Sequence, residues 1–315
     1  MRRIGFLLLP QLPLIPFAAG IEVLRLSNRQ LTRQFYSWCL LSNDGEPVDT
    51  SAGITLTPDM SLAEVRDLDV LLVVGGEGTE TYEHRTTYKQ LRRLSIEGVT
   101  LGAVTLGSFV LARAGLLDGY RCTVHWEFLE AFQENFPHLD VRKEVFEIDR
   151  DRCTAAGGTA ALDMMLSYVS TDHGSTVAQA VSENLLHDRI RESTEPQRMP
   201  LNVRLGVSHP KLVRVVEMME RNIDTVASPH ELAREVGLSG RQLERLFRKY
   251  LDTTPKRYHL DARLNRARQL LKQTTMSVLD VAIACGFSTA SHFTKTYRER
   301  FRVTPRDERA RARQS

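Results

Sequence analysis

The sequence predicts an α/β domain with a doubly wound, mostly parallel sheet, followed by an all-α domain with two helix-turn-helix motifs. Over the first two thirds of the chain, continuous apolar runs alternate with helical segments, a pattern typical of parallel strands buried on both faces. The last third lacks strand patterns and contains a similar capped helical hairpin twice. A chain of 315 residues also exceeds one typical domain, so at least two hydrophobic cores are expected.

The elements of the first domain follow from short apolar runs and from the segments between them. Strands are expected at residues 4–9, 36–42, 53–57, 68–74 and 100–105, with a hairpin formed by 146–148 and 153–155. Helices are expected at residues 17–28, 88–97, 107–114, 159–170 and 177–191. The first domain is therefore expected to span residues 1–191. The polar, proline-containing stretch 192–209 is expected to be a linker.

The first helical hairpin begins at Ser228, which forms a predicted capping box with Glu231. Gly237 supplies the positive φ that the turn between the helices requires. Ser239 and Gln242 form a second predicted capping box. The second helix is expected to bury Leu243, Leu246, Phe247 and Tyr250. Its other faces are basic, which suits the major groove of DNA.

A second hairpin repeats this pattern, with Gly286 in the place of Gly237 and Pro305 matching Pro255 after one extra residue. Between the copies, 255–273 is predicted to be one helix of roughly 27 Å, near the ~34 Å between successive major-groove faces. Two linked helices could therefore read one side of a DNA duplex. The candidate DNA-contacting residues are Arg241, Gln242, Arg245, Arg248 and Lys249 in the first copy and Ser288, Thr289, Ser291, His292, Lys295 and Arg298 in the second.

The distribution of charge agrees with a DNA-binding C-terminal domain. The chain as a whole has a net charge of +3. Residues 211–315 contain 22 Lys and Arg against 12 Asp and Glu, whereas residues 1–210 contain 20 against 27. Only the last third is therefore built to neutralise phosphates.

The C-terminal segment, residues 210–310, contains the stretches ELAREVGLSGRQLERLFRK, ARQLL, VAIACGFSTASHFTKTYRERF and TPRDER. Through these stretches it resembles the DNA-binding domain of the AraC/XylS family of transcription regulators. The resemblance implies a domain of two helix-turn-helix motifs joined by one helix, with an operator in double-stranded DNA as its partner.

The first domain contains a sharp corner between a strand and a helix at 103–108, a position that exposes one side chain above helix amides. The same domain contains the stretches LLVVGG, GAVTLGSFVLARAGLLDG, TVHWEF and TAAGGTAALDMML. Through these stretches it resembles the PfpI/ThiJ type of class I glutamine amidotransferase-like domain. Hydrolytic members of that superfamily carry a cysteine at the corner, where this chain has Thr105. A threonine hydroxyl lacks the acidity of a thiol, so no catalytic residue, cofactor or metal site is expected.

Together the two resemblances match the GlxA group of AraC-family regulators, in which the first domain serves as a sensor of small nitrogenous metabolites. The resemblance implies a homodimer formed through that domain, contact with RNA polymerase, and an effector such as an amino acid or a betaine-like zwitterion. The candidate ligand-binding residues are Thr105, Leu106, Gly76, His125 and Trp126. Two readings stay open for Thr105 and His125, because either side chain could contact the ligand or only satisfy nearby backbone groups.

Two classes of function follow. The first is a sequence-specific DNA-binding transcription regulator, an activator, and the second is a PfpI/ThiJ-type hydrolase or glyoxalase with a DNA-binding appendage. Thr105 in place of cysteine favours the regulator. The four cysteines show no CxxC spacing, which indicates reduced thiols and a cytoplasmic protein. The apolar N-terminal run is interrupted by Pro10, Pro13 and Pro16 and is too short for a membrane span.

Overall fold

The computed structural model describes residues 1–225 and 228–312 of the chain. They divide into two compact units, Met1–Gln197 and a second unit that begins at Arg198. Within the described residues, no helix is both long and apolar enough to cross a membrane.

The first unit alternates strands and helices along the chain. Its strands are β1 (Arg2–Leu8), β2 (Tyr36–Ser42), β3 (Val48–Asp49), β4 (Thr55–Leu56), β5 (Met60–Ser61), β6 (Val70–Gly75), β7 (Thr100–Thr105), β8 (Arg121–Cys122), β9 (Asp140–Val141), β10 (Phe146–Asp149) and β11 (Arg152–Ala155). Its helices are α1 (Leu14–Gln30), α2 (Arg85–Ile96), α3 (Gly107–Arg113), α4 (Leu129–Asn135), α5 (Ala160–His173) and α6 (Ser175–Asn184), with 3-10 turns at Thr79–Thr81 and Trp126–Phe128.

The main sheet has the strand order β10-β11-β7-β6-β1-β2-β5. Every neighbouring pair is parallel except β10 and β11, which form the expected antiparallel hairpin. Successive residues of a strand point to opposite faces, so Phe6 packs into one core with Leu166, and Leu7 packs into another with Phe109. Helices cover both faces, which confirms the doubly wound α/β fold.

The strand expected at 53–57 is shorter in the structure and lies outside the main sheet. Only Thr55–Leu56 is extended, and it pairs with β3 in a separate two-stranded hairpin. Gly53 has a φ of 74°, a turn conformation that keeps the preceding residues out of the strand.

The helix expected at 177–191 ends earlier, at Asn184. Leu186 adopts a φ of 53°, and the amide of His187 donates to the carbonyl of Ser182, which closes the helix end. The chain then turns back, and Arg191 binds Asp163 on α5. A local turn therefore ends this helix, and a contact distant in sequence holds the segment that follows it.

The stretch 192–209, expected to be a linker, is largely structured. The amide of Val145 donates to the carbonyl of Glu195, and the Gln197 side chain is bonded within the first unit. Leu201–Leu205 forms a helix, α7, and Leu201 is buried in a core of the second unit. Along the chain, the boundary of the two units falls between Gln197 and Arg198.

In the second unit, the described residues form helices joined by turns and loops. Its remaining helices are α8 (Pro210–Arg221), α9 (Pro229–Glu235), α10 (Gly240–Leu251), α11 (Pro255–Gln273), α12 (Val278–Ala284), α13 (Ala290–Phe301) and α14 (Pro305–Ala312). One core holds Leu243 and Phe247 of α10, and another holds Phe293 and Tyr297 of α13. Helix α11, which has the bounds expected from the sequence, joins the two helix-turn-helix motifs.

The caps and turns of both motifs are those expected from the sequence. Ser228 with Glu231, Ser239 with Gln242 and Ser277 with Asp280 form reciprocal capping boxes. Gly237 and Gly286 have φ values of 63° and 72°. The extra residue of the second copy lies in its turn, because the cap of α10 follows Gly237 by two positions and the cap of α13, Thr289, follows Gly286 by three.

Two side chains of α10 are less buried than expected. Leu243 and Phe247 are buried, but Leu246 is only half-buried and Tyr250 is 39% exposed. Tyr250 lies at the edge of the packed face, where the Lys249 ammonium is 5.0 Å from its ring centre.

All four cysteines are buried, and burial raises the pKa of the Cys122 and Cys153 thiols to about 12. Thiolate is the reactive form, so we expect no alkylation of the native protein by iodoacetamide near neutral pH. In urea all four should react. Mass spectrometry after each treatment measures the difference, and rapid labelling of Cys122 in the native protein would contradict its burial.

Candidate DNA interface and ligand site

Helix α10 presents one basic face. Arg241, Arg245 and Arg248 recur at i, i+4 and i+7, so they lie on the same side of the helix. All three are exposed, and the buried Leu243 and Phe247 lie on the opposite side. The capped N-terminus and the basic face are therefore both accessible to DNA.

The other two candidates of α10 flank that face. The Gln242 side-chain oxygen accepts from the Ser239 amide at 2.8 Å, so this oxygen closes the capping box and only the amino group remains for a base or phosphate. Lys249 is exposed near the end of the helix. Its position suits contact with a phosphate rather than with the floor of a groove.

Helix α13 repeats the arrangement. Ser291, Lys295 and Arg298 are exposed at i, i+4 and i+7, opposite the buried Phe293 and Tyr297. This face carries less charge than that of α10. The two helices therefore share a geometry but present different chemistry to DNA.

The residues around the start of α13 are exposed as well. Thr289 caps the helix, because its hydroxyl accepts from the His292 amide at 3.2 Å. The His292 ring lies 5.8 Å from the Phe287 ring, while Ser288 is exposed in the turn. Thr289 thus has a structural task, whereas Ser288 and His292 are accessible to DNA.

In the first unit, Thr105 ends β7 with a φ of 61°, an unusual conformation for a β-branched residue. Its hydroxyl oxygen is buried and has no hydrogen-bond partner among the described residues. The corner is tightly packed, since a Cβ on Gly157 would lie 2.5 Å from that oxygen. A Cβ on Gly76 would lie 1.6 Å from the Gln11 carbonyl oxygen, so Gly76 allows a close approach of two backbones.

One expectation about this corner is wrong. The amide of Leu106 donates to the Gly75 carbonyl at 3.1 Å, and the Leu106 side chain is buried. Leu106 therefore offers no free donor to a ligand. Helix α3, which begins after this corner, is short, with seven residues.

His125 and Trp126 lie on a segment that is tied to the same corner. Ser108 at the start of α3 donates its hydroxyl proton to the Thr123 carbonyl at 2.7 Å. The His125 and Trp126 rings are 5.6 Å apart, and both residues are half-buried. Burial lowers the pKa of His125, which keeps the imidazole neutral at pH 7. Its Nδ1 accepts weakly from the Glu127 amide at 3.4 Å.

Sequence reasoning missed Gln197. The side-chain nitrogen of Gln197 lies within hydrogen-bond distance of the Thr123 hydroxyl at 3.0 Å, the Val124 carbonyl at 3.0 Å and the Glu144 carbonyl at 2.9 Å. Gln197 therefore holds the C-terminal end of the first unit against Val124, the residue before His125. Its polar surroundings in the sequence contain no signal of this role.

Sequence comparisons agree with this architecture. Residues 17–171 match the DJ-1/PfpI family, and residues 232–311 match a helix-turn-helix domain. The HTH-type transcriptional regulator GbdR of Pseudomonas aeruginosa is 47% identical over 308 residues, which cover 98% of this chain and 84% of GbdR. The HTH-type transcriptional regulator GlxA of Rhizobium meliloti is 37% identical over 306 residues, 97% of this chain and 94% of GlxA.

A solved structure shares the fold of part of the chain. The crystal structure of an AraC family transcriptional regulator from Pseudomonas putida is 31% identical, with a TM-score of 0.55, and covers 59% of this chain and 100% of that one.

The fold and the two exposed helices define a DNA-binding transcription regulator with a DJ-1/PfpI-like domain. The chain belongs to the GlxA-type group of AraC/XylS-family transcriptional regulators. The relatives that extend along nearly the whole chain are named as regulators, which supports a regulator and not an enzyme.

Proposed function

We propose that the protein activates transcription from an operator read by both α10 and α13, in response to a zwitterionic nitrogenous metabolite bound beside Thr105. The observation that carries this proposal is the buried Thr105 hydroxyl at a strained strand end, for which the described part of the chain supplies no hydrogen-bond partner. An amino acid or a betaine would supply the missing partner through its carboxylate.

The energetics of Thr105 support a functional role. Leaving a buried hydroxyl without a hydrogen bond costs about 1–3 kcal/mol, and a left-handed conformation costs about 1–2 kcal/mol more. Backbone strain of this kind clusters at ligand-binding and catalytic positions. A bound carboxylate would accept the proton of the hydroxyl and recover part of the cost.

His125 and Trp126, on the segment that Ser108 bonds at the start of α3, suit the other end of a zwitterion. A neutral His125 beside Trp126 presents aromatic surface without a competing positive charge. An aromatic face attracts a quaternary or primary ammonium group by about 0.5–2 kcal/mol, depending on desolvation. Such a site would therefore bind the carboxylate of the effector through the Thr105 hydroxyl and its cationic group through an aromatic face.

Gln197 offers a route by which occupancy could reach the DNA-binding unit. Its side chain contacts the Val124 carbonyl next to His125, and Arg198 begins the second unit. A ligand that moves His125 would disturb the bonds of Gln197. We infer that the effector acts in the cytoplasm on a homodimer joined through the first unit, which then contacts RNA polymerase at the operator.

A thermal-shift screen of betaines, carnitine and amino acids tests the proposal, because a ligand that binds only the native state raises its melting temperature. Thr105→Val should raise the Kd of the best hit on the order of tenfold, since one hydrogen bond to a carboxylate is lost. Trp126→Ala should have a similar effect. Thr100→Val, at the other end of β7, is the matched control and should bind normally.

Two outcomes would contradict this proposal. Unchanged affinity in both variants would place the effector elsewhere, for example in the cleft of about 700 Å³ beside α5 and α6. Substrate turnover that Thr105→Val eliminates would restore the enzyme alternative.

A further inference from the structure

The turns of the two helix-turn-helix motifs differ in their surroundings. A Cβ on Gly286 would lie 2.5 Å from the Asp224 carbonyl oxygen and 3.1 Å from that of Ile223. A Cβ on Gly237 would approach only the flexible end of Lys211, at 3.7 Å. The turn of the second motif is therefore packed against the loop that follows α8, whereas the turn of the first motif is open.

Arg263 of α11 binds this packed turn. The side chain is 8% exposed, and it donates to the carbonyls of Cys285 at 2.7 Å and of Gly286 at 2.5 Å. Its guanidinium carbon also lies 4.2 Å from the centre of the Phe287 ring. One planar side chain thus holds three successive residues of the turn.

The first motif has a weaker counterpart of this contact. Lys211 of α8 donates to the Gly237 carbonyl at 3.2 Å from an exposed position. A lysine ammonium makes one such bond and is well hydrated, whereas the arginine fork makes two in a fixed geometry. The repeat therefore uses a buried arginine only where the turn also packs against the Ile223–Asp224 loop.

His259 completes the packing around Arg263. It precedes Arg263 by one helical turn on α11 and is 6% exposed. Burial and the neighbouring Arg263 lower the pKa of His259, so the imidazole stays neutral beside the cation. The two carbonyls of the turn thus solvate the charge of the buried Arg263.

We propose that Arg263 is a positioning residue that sets the spacing between the two DNA-reading helices. It holds the turn that leads into α13 against the Ile223–Asp224 loop, which lies between α8 and α9. Because this loop follows α8, and α8 packs against α10, the contact connects the positions of α10 and α13 in addition to the covalent link through α11. The protein would therefore bind two successive major-groove segments only at one separation.

The test uses the full-length protein and a duplex that it selects from a random library. Inserting one base pair between the two segments separates them by about 3.4 Å and rotates them about the duplex axis, so the wild type should bind less tightly. In Arg263→Met the penalty for the insertion should fall on the order of tenfold, because the second motif can then shift. Affinity for a duplex with only one intact segment should not change.

Matched variants separate positioning from folding. Lys211→Met removes the corresponding exposed bond and should keep the full spacing penalty. Arg263→Lys keeps one donor group and should therefore restore part of the spacing penalty that Arg263→Met loses. Gly237→Ala and Gly286→Ala impose the same positive-φ strain, but only Gly286→Ala meets the Asp224 backbone, so only that variant should change the spacing preference.

The result that overturns the proposal is a folded Arg263→Met variant with the wild-type spacing penalty. Loss of binding to the second segment alone would also overturn it, since Arg263 would then only support the fold of the second motif. If circular dichroism shows that Arg263→Met is unfolded, the glycine pair decides, and equal spacing penalties in Gly237→Ala and Gly286→Ala refute the proposal.

Discussion

Replacing both Arg241 and Arg245 by alanine is expected to abolish sequence-specific binding to the operator. The two side chains are exposed on one face of α10, one helical turn apart, where they can reach successive base edges in a major groove. Each arginine that bonds a guanine contributes about 1–3 kcal/mol of discrimination. Their combined loss corresponds to about 30-fold to 10⁴-fold in Kd, measured by fluorescence anisotropy with the selected duplex and a scrambled one.

Phosphate-contacting residues provide the control for this experiment. Lys249→Ala and Lys295→Ala should weaken binding to both duplexes alike and flatten the dependence of affinity on salt. The double arginine variant should melt like the wild type, because exposed side chains contribute little to the core. Unchanged operator affinity in that variant would show that α10 is not the first DNA-reading helix.

Replacing Arg191 by leucine is expected to lower the free energy of unfolding of the first unit by about 3–5 kcal/mol. Asp163 on α5 is completely buried. It accepts hydrogen bonds from the Arg191 side chain at 2.7 Å, the Arg191 amide at 2.9 Å and His187 at 2.8 Å. Without the guanidinium, the buried carboxylate keeps a histidine ring and one amide as its partners among the described residues, which does not offset its desolvation.

Arg189 supplies the matched control two residues away. It forms a bidentate pair with Glu195 at 2.6 Å, but its side chain is 66% exposed. Solvent screens such a pair, so Arg189→Leu should leave stability nearly unchanged. Urea denaturation of the two variants measures the difference, and equal stabilities would show that the Asp163 cluster does not hold the end of the first unit.

Local patterns predicted much of this molecule. The start of α11 follows from Pro255. The capping boxes at Ser228 and Ser277 locate the first helix of each motif, and the capping box at Ser239 locates the start of α10. Each depends on residues within four positions of one another, so the sequence alone contains the information. The exposed basic face of α10 follows in the same way from helical spacing.

Contacts between distant residues were beyond such patterns. The expected ligand donor Leu106 is bonded to Gly75, because β6 and β7 are neighbours in the sheet. The segment after Asn184, expected to continue the helix 177–191, is instead bonded to Asp163 on α5 through Arg191. The sequence contained one signal for the burial of Arg263. Its helical spacing from Leu260 and Ala267 places it on the apolar stripe of α11, where a buried residue is expected.

The sequence by itself determined the class of the protein, its two helix-turn-helix motifs and the parallel sheet before them. These depend on periodicity, caps and composition, which act over a few residues. Only the tertiary structure decided that the Thr105 hydroxyl lacks a partner, that Gln197 binds beside His125, and that Arg263 holds the second turn. The reason is physical, since burial and hydrogen-bond satisfaction depend on which distant segments the fold brings into contact.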